Sequence, residues 1–223
     1  MDYQIIQVKE QLLADNDEIA AGTRALLARE GVVLVNLMGA PGAGKTSSLL
    51  RLIQRLGGRL RIGVMEADVD SDVDAKTVFA AGAKVIQLHT GGLCHMDAAM
   101  TAQGLERLGI DDLDLVFLEN VGNLVCPAEF DVGADLRMMI LSVPEGDDKP
   151  LKYPLMFTVS DVMLVNKMDA APVFDFDLAA ASQRAKALNP GIRIFPVSAE
   201  TGEGFDAAAE LLWELCGKRR ING

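Results

Sequence analysis

Short apolar runs alternate with amphipathic stretches along most of this chain. The apolar runs predict strands at 32–38, 61–65, 83–88, 114–119, 137–143, 161–166 and 192–197. Between them, stretches such as 46–56 and 96–108 repeat apolar side chains at helical spacing. Strands that are apolar throughout and separated by helices favour parallel pairing, with helices on both faces of the sheet. The pattern predicts an α/β fold with a mostly parallel central sheet of about seven strands.

Two further helical patterns lie at the ends of this core. Residues 7–30 carry apolar side chains at helical spacing, and we expect this N-terminal helix, within residues 1–30, to pack outside the sheet. A closing helix is predicted to follow Gly204 and to run to about Cys216. Because no repeat, low-complexity stretch or linker interrupts the chain, we expect one domain over residues 1–223.

Composition and charge narrow the classes of partner. The net charge of −11 opposes nucleic-acid binding, since phosphates are repelled without a dense basic patch. No apolar run reaches the roughly 18 to 20 residues of a membrane span, and the N-terminus lacks the pattern of a secretory signal. Three scattered cysteines predict reduced thiols rather than a disulfide framework. We therefore expect a cytoplasmic protein without nucleic-acid or membrane partners, and we interpret the basic residues 218–220 as a solvated helix end.

A glycine-rich loop predicts a phosphate site. "GAPGAGKT" fits G-x-x-x-x-G-K-S/T and stands between a predicted strand and a predicted helix. Backbone N–H groups of such a loop point at phosphate oxygens, Lys45 places a charge near the β- and γ-phosphates, and the Thr46 hydroxyl can bind Mg²⁺. The fold class is therefore that of a single P-loop NTPase domain. The predicted phosphate-binding residues are Gly39, Ala40, Pro41, Gly42, Ala43, Gly44, Lys45, Thr46 and Ser47.

A second motif, "NKMD", indicates which base is bound. Asp169 can accept hydrogen bonds from the N1–H and the exocyclic amine of guanine, whereas adenine offers an acceptor at N1 and leaves the carboxylate partly unpaired. Lys167 can lie over the base, and Asn166 completes the motif at the end of a predicted strand. Ser198 and Ala199 are expected to bring their backbone near guanine O6. The motif favours GTP and GDP, and an ATP-dependent small-molecule kinase is the alternative that it opposes.

Acidic residues at two strand ends predict the Mg²⁺ site. Mg²⁺ prefers oxygen ligands in near-octahedral geometry. Glu119 closes the strand at 114–119 in the usual place of a Walker B acid, and Asp68 is the acid nearest the end of the second strand. The acids that follow, Asp70, Asp72 and Asp74, are interpreted mostly as solvated loop charges. The predicted Mg²⁺ ligands are Thr46, Asp68 and Glu119, and the predicted catalytic residues are Lys45, Asp68 and Glu119. No glutamine stands in the DxxGQ arrangement of Ras-like proteins, so a different group must orient water.

The segment "TGGLCHMDAAM" sets Cys94 beside His95, although the whole chain has three cysteines and two histidines. On the residues alone, a packing role for these side chains and a metal-binding role stay equally open, because a Cys-His pair with a distant cysteine is not a tightly spaced metal motif.

Taken in order, several segments resemble the HypB family of nickel-incorporation GTPases from the maturation of nickel–iron hydrogenases. They are "GAPGAGKT", "EADVDSDVDA", "GGLCHMD", "FLENVGNLVCPAEFDVG", "EGDDKPLKYP" and "LVNKMD". The resemblance implies a P-loop GTPase of the dimer-forming class that includes the signal-recognition-particle GTPases, with slow, Mg²⁺-dependent hydrolysis of GTP. It also implies a GTP-promoted homodimer.

The same resemblance implies a metal site at Cys94, His95 and Cys126. Two thiolates and an imidazole suit Ni²⁺ or Zn²⁺. The implied function is a GTP-gated metallochaperone that assists nickel insertion, and the implied partners are a nickel-binding hydrogenase accessory protein and the hydrogenase large-subunit precursor. Three alternatives stay open: a urease-type nickel GTPase, a cobalamin-enzyme chaperone of the same class, and a nickel carrier in which GTP is only structural.

The chain departs from the family pattern at two places. It has neither the N-terminal cysteine motif nor the histidine-rich stretch of some members, so we expect no nickel store there. Its second strand ends in "EAD" where members commonly have "GD", which leaves the water-orienting residue open.

Overall fold

The computed structural model describes residues 8–68 and 78–222. The strands are β1 Val33–Gly39, β2 Ile62–Asp68, β3 Lys84–His89, β4 Leu115–Glu119, β5 Leu136–Ser142, β6 Val162–Asn166 and β7 Arg193–Pro196. The longer helices are α1 Val8–Glu30, α2 Lys45–Leu56, α3 Ala98–Leu108, α7 Leu178–Leu188 and α8 Phe205–Asn222. The short helices are α4 Cys126–Glu129, α5 Lys149–Lys152 and α6 Pro154–Val159, and 3-10 turns cover Val143–Glu145 and Met168–Val173.

The seven strands form one sheet in the order β3-β2-β4-β1-β5-β6-β7, and every pair is parallel. The predicted parallel sheet is confirmed. The first strand, β1, lies at the centre of the sheet, between β4 on one side and β5 on the other. In such sheets, ligands bind at the carboxyl ends of the strands where the order reverses. The fold therefore puts the loop after Gly39 at this crevice.

Side chains of β1 alternate between two apolar layers. Val35 and Leu37 pack with α2 and α8, whereas Leu34 packs beside α1 and α3. Met38 belongs to a third cluster with α6 and α7. All seven residues of β1 are buried, because both faces of the sheet are covered. This explains why the strands are apolar throughout and why they could be predicted from sequence.

The C-terminal helix corrects one expectation. α8 continues to Asn222, beyond the predicted end near Cys216. Lys218 and Arg220 are exposed, as expected for a solvated helix end, but Arg219 pairs with Asp135 and Arg220 Nη2 lies 2.7 Å from Asp114 Oδ1. Both carboxylates precede strands of the central sheet. These ion pairs hold the last turns of the helix against the amino end of the sheet.

Among the described residues, no helix combines the length and the apolar character that a membrane crossing requires.

Candidate nucleotide and metal sites

The loop between β1 and α2 forms the floor of an open cleft of about 660 Å³. Gly44 caps α2 with φ 94°, and a Cβ on it would lie 2.4 Å from Asn166 Nδ2, so only glycine fits. The first N–H groups of α2 have no partner within the helix, and the helix dipole adds positive potential at this end. The loop and helix together are built to bind an anion such as a phosphate.

The predicted Mg²⁺ ligands Thr46 and Glu119 come together beside this loop. Thr46 Oγ1 donates a hydrogen bond to Glu119 Oε1 at 2.8 Å, and Glu119 is buried. Hydroxyl and carboxylate oxygens are the donors that Mg²⁺ prefers, so this pair fits the ion. Lys45 Nζ lies 3.4 Å from Ala40 O, across the loop that would hold phosphates.

Asp68 ends β2, but its side chain lies outside the described part of the chain, as do residues Asp70, Asp72 and Asp74. Beside Glu119, the structure places a second acid in the cleft, Glu66, which sequence analysis missed. Glu66 is buried, lines the cleft, and faces Glu119 across the pairing of β2 with β4. A carboxylate inside an otherwise apolar strand was the available signal, because a buried charge needs a function or a partner.

The guanine motif lies on the other side of the loop and is hydrogen-bonded to it. Asn166 Nδ2 donates to Ala43 O at 2.9 Å, and Lys167 Nζ donates to Gly42 O at 2.7 Å. Ala199 N donates to Asn166 Oδ1 at 3.0 Å, so this N–H, expected near the base, is engaged by the motif itself. The predicted phosphate and guanine residues therefore form one connected unit.

Asp169 is oriented by a buried serine. Ser198 Oγ donates to Asp169 Oδ1 at 2.5 Å, and Thr201 N donates to Ser198 Oγ at 3.1 Å. Ser198 is 2% exposed. The carboxylate keeps capacity to accept hydrogen bonds from a base, which recognition of guanine would require.

Cys94, His95 and Cys126 meet at the end of the loop that leaves Glu119. One donor atom from each side chain lies within 4.8 Å of the others, and they form the only such group of three or more among the described residues. The two sulfur atoms are 2.9 Å apart, and Cys94 Sγ lies 3.7 Å from His95 Nδ1. The His95 ring stacks on Phe130 with centroids 4.0 Å apart. The donor set and its spacing fit Ni²⁺ or Zn²⁺.

The electrostatics of this site favour a neutral imidazole. Burial lowers the pKa of His95, and the charges of Asp97 and Glu129 oppose this only in part. The hydrogen bond with Cys94, and then burial, raise the pKa of the Cys126 thiol. A cation bound here must therefore displace a proton from Cys126, whereas the His95 ring needs to lose none at neutral pH.

Buried asparagines, which sequence analysis missed, hold the segments that carry these donors. Asn16 Nδ2 donates to Asp131 O at 2.8 Å, and its Oδ1 accepts from Ala98 N at 2.8 Å. Asn120 Oδ1 accepts from Met96 N at 3.1 Å, directly after His95. α1 and the end of β4 thus fix the Cys-His segment and the segment after Cys126 relative to each other.

Comparisons of the sequence and of the structure with known proteins point to the same family. Residues 33–196 match the model described as "CobW/HypB/UreG, nucleotide-binding domain". The hydrogenase maturation factor HypB of Rhizobium leguminosarum bv. viciae is 45% identical over 218 residues, which cover 98% of this chain and 73% of that protein.

Solved structures of HypB proteins are similar over nearly the whole chain. HypB from Archaeoglobus fulgidus superposes with TM-score 0.85 at 39% identity, covering 92% of this chain and 100% of that one. HypB from Helicobacter pylori, solved in complex with nickel, superposes with TM-score 0.85 at 34% identity, covering 93% and 96%.

Proposed function

Because the chain belongs to the HypB family of hydrogenase maturation factors, we propose that it is a GTP-hydrolysing metallochaperone with nickel as its cargo. The observation that carries the proposal is the placement of two thiols and an imidazole within 4.8 Å of one another, where Cys126 follows a segment, residues 119–122, that lines the nucleotide cleft. The HypB of Helicobacter pylori, which has this fold, binds nickel, and this supports nickel as the cargo here.

In this proposal the loop 39–47 binds the phosphates of GTP. Lys45 would stabilise the negative charge that develops on the transferred phosphoryl group, and Thr46 with Glu119 would hold Mg²⁺, which supplies positive charge to the phosphate oxygens. Asp68 would be a further Mg²⁺ ligand and catalytic residue. Asp169, oriented by Ser198, selects guanine over adenine. Hydrolysis is slow because no glutamine follows the Walker B acid to orient water.

The metal site would change with the nucleotide. Three donors per chain leave a fourth position, which water or the second protomer of a GTP-promoted homodimer would supply. Nucleotide state then sets the geometry of the donors and with it the affinity for nickel. A nickel-binding accessory protein and the hydrogenase large-subunit precursor are the proposed cytoplasmic partners, and residues 1–223 act as one GTPase domain. Zn²⁺ would bind the same donors.

An anaerobic nickel titration of reduced protein tests this function, with GDP and with a non-hydrolysable GTP analogue. Cys126→Ala removes a proposed ligand, and Cys216→Ala is the matched control, because Cys216 is a buried thiol on α8 away from both sites. We expect Cys126→Ala to weaken nickel binding by more than about tenfold, since the loss of a residue that only orients a ligand already costs about that much, and we expect Cys216→Ala to bind as the wild type. Equal nickel affinity in the wild type and Cys126→Ala would contradict the proposal.

A further inference from the structure

Asn123 lies where the loop after β4 crosses the phosphate-binding loop. Its backbone N–H donates to Gly39 O at 3.0 Å, in an isolated antiparallel bridge between the two residues. The preceding residue, Gly122, packs so closely on Pro41 that a Cβ would lie 3.0 Å from the Pro41 backbone. The position of Asn123 is therefore set by the loop that binds phosphate.

The side chain of Asn123 contacts both segments that carry the thiols. Its Nδ2 donates to Cys94 O at 3.3 Å, and its Oδ1 accepts from Val125 N at 2.8 Å, one residue before Cys126 begins α4. One amide group thus joins the phosphate-binding loop to both sulfur-bearing segments.

The position of Asn123 in the sequence is that of a water-orienting residue in other GTPases. In "ENVGN", Glu119 and Gly122 occupy the acid and glycine positions of DxxGQ, so Asn123 stands where Ras-like GTPases carry the glutamine that orients water. A water-orienting amide would face the nucleotide. Here both ends of the amide are hydrogen-bonded on the side of the thiols.

We propose that Asn123 is the positioning residue through which the nucleotide site controls the separation of Cys94 and Cys126. A shift of the phosphate-binding loop moves the Asn123 backbone through Gly39, and the amide passes the displacement to the Cys94 carbonyl and to the start of α4. The nickel affinity then depends on the nucleotide. This inference rests on the proposed function, and it assigns the coupling to a residue that binds neither ligand directly.

The test compares two asparagines with the same local geometry. Asn189 Oδ1 accepts from Gly191 N at 3.0 Å, and its Nδ2 donates to Ser160 O at 2.8 Å, away from both sites. In Asn123→Ser and Asn189→Ser, the hydroxyl can still accept from the N–H two residues on, but it cannot reach the distant carbonyl. The metal added is Ni²⁺, and its binding is monitored through the thiolate-to-nickel charge-transfer absorption. Each protein is titrated once with GDP and once with a non-hydrolysable GTP analogue.

For each protein, the quantity compared is the ratio of the nickel Kd measured with GDP to that measured with the GTP analogue. We expect this ratio to differ from one by about fivefold or more in the wild type and in Asn189→Ser, a usual size for coupled sites. In Asn123→Ser the ratio should fall towards one, with the thiolate band kept. Asn123→Asp, which retains the size and the acceptor but loses the donor, should lower the ratio too. Because Asn123→Asp keeps the volume of the side chain, it decides the test if the serine variant folds poorly.

The possible failures are distinguishable. A wild-type ratio that Asn123→Ser and Asn123→Asp both keep would overturn the inference and leave the proposed function intact. A wild-type ratio of one would contradict the GTP-gated function and the inference together. A loss of GTP turnover of about a hundredfold in Asn123→Ser, the usual size for a residue that assists proton transfer, with an unchanged nickel ratio, would overturn the inference in favour of a catalytic role.

Discussion

Asn166 and Lys167 show how single side chains prepare the nucleotide site. Both hydrogen-bond to carbonyl groups of the phosphate-binding loop, and Lys167 adopts the left-handed conformation with φ 64°. A non-glycine residue in this region is strained, and its surroundings must hold it there. The residues of the predicted guanine motif therefore support the phosphate-binding loop, and we expect base and phosphate recognition to be coupled.

Asp169→Asn tests the base specificity. An asparagine presents an amide donor where guanine presents N1–H and an amine, so one hydrogen bond is lost and two donors oppose each other. Xanthine, with a carbonyl at C2, fits the amide better. We expect GTP to bind at least about tenfold more weakly, as the loss of hydrogen bonds to a charged group implies, and XTP to bind more tightly. Competitive nucleotide binding measures both, and an unchanged preference for GTP would contradict the assigned role.

Lys45→Ala tests the phosphate cradle. Since Lys45 forms one long hydrogen bond to Ala40 O within the protein, its removal should leave the fold intact. We expect GTP turnover to fall by about a hundredfold or more, because Lys45 would stabilise transition-state charge. Lys186→Ala on the exposed side of α7 is the control and should retain turnover. Equal rates for the two variants would remove Lys45 from the mechanism.

At the scale of elements, local pattern decided what could be predicted. The strands were visible because buried parallel strands are apolar along their whole length. The end of α8 was not visible, because Arg220 meets Asp114 across the fold rather than along the helix. The asparagine contacts were hidden for the same reason, since Asn16 bonds to residues 82 and 115 positions away. Sequence shows periodicity and short motifs, whereas partners brought together by folding leave no local pattern.

The ion pair between Arg220 of α8 and Asp114 predicts that stability depends on pH. Burial opposes the ionisation of Asp114, but hydrogen bonds from the Arg61 side chain and N–H, and from Arg220, outweigh it and hold the pKa at about 2. Because this folded-state value lies below that of the unfolded chain, the ionised carboxylate stabilises the fold above about pH 4. This stabilisation is lost as the pH falls towards about 2.

Asp114→Asn should therefore lower the free energy of unfolding by about 2 kcal/mol at pH 7, the size of hydrogen bonds to a charged group. The difference from the wild type should shrink below about pH 4. Asp112→Asn is the control, since its ion pair with Lys84 is long and exposed and should contribute little. Urea unfolding across pH measures both, and a pH-independent difference for Asp114→Asn would refute the ionic explanation.

At the scale of the whole molecule, the parallel sheet brings two sites onto one edge. β1 ends at the phosphate loop, β4 ends at Glu119, and the chain from Glu119 runs past Asn123 to Cys126. Leu93 and Val125, each about half exposed at 47% and 48%, flank the cysteines. An apolar rim around metal donors is suited to burial against a second protomer. In the proposed function, this arrangement would let one domain link the nucleotide, the metal and dimerisation.

Native mass spectrometry of the reduced protein tests this central claim most directly, because it counts chains, nucleotides and nickel ions in one species. With nickel and a non-hydrolysable GTP analogue, we expect pairs of chains that carry nucleotide and nickel. With GDP, we expect single chains and a different number of nickel ions per chain. Cys126→Ala should lose the nickel in both conditions. The same chain count and the same nickel count with either nucleotide would contradict a GTP-gated metallochaperone.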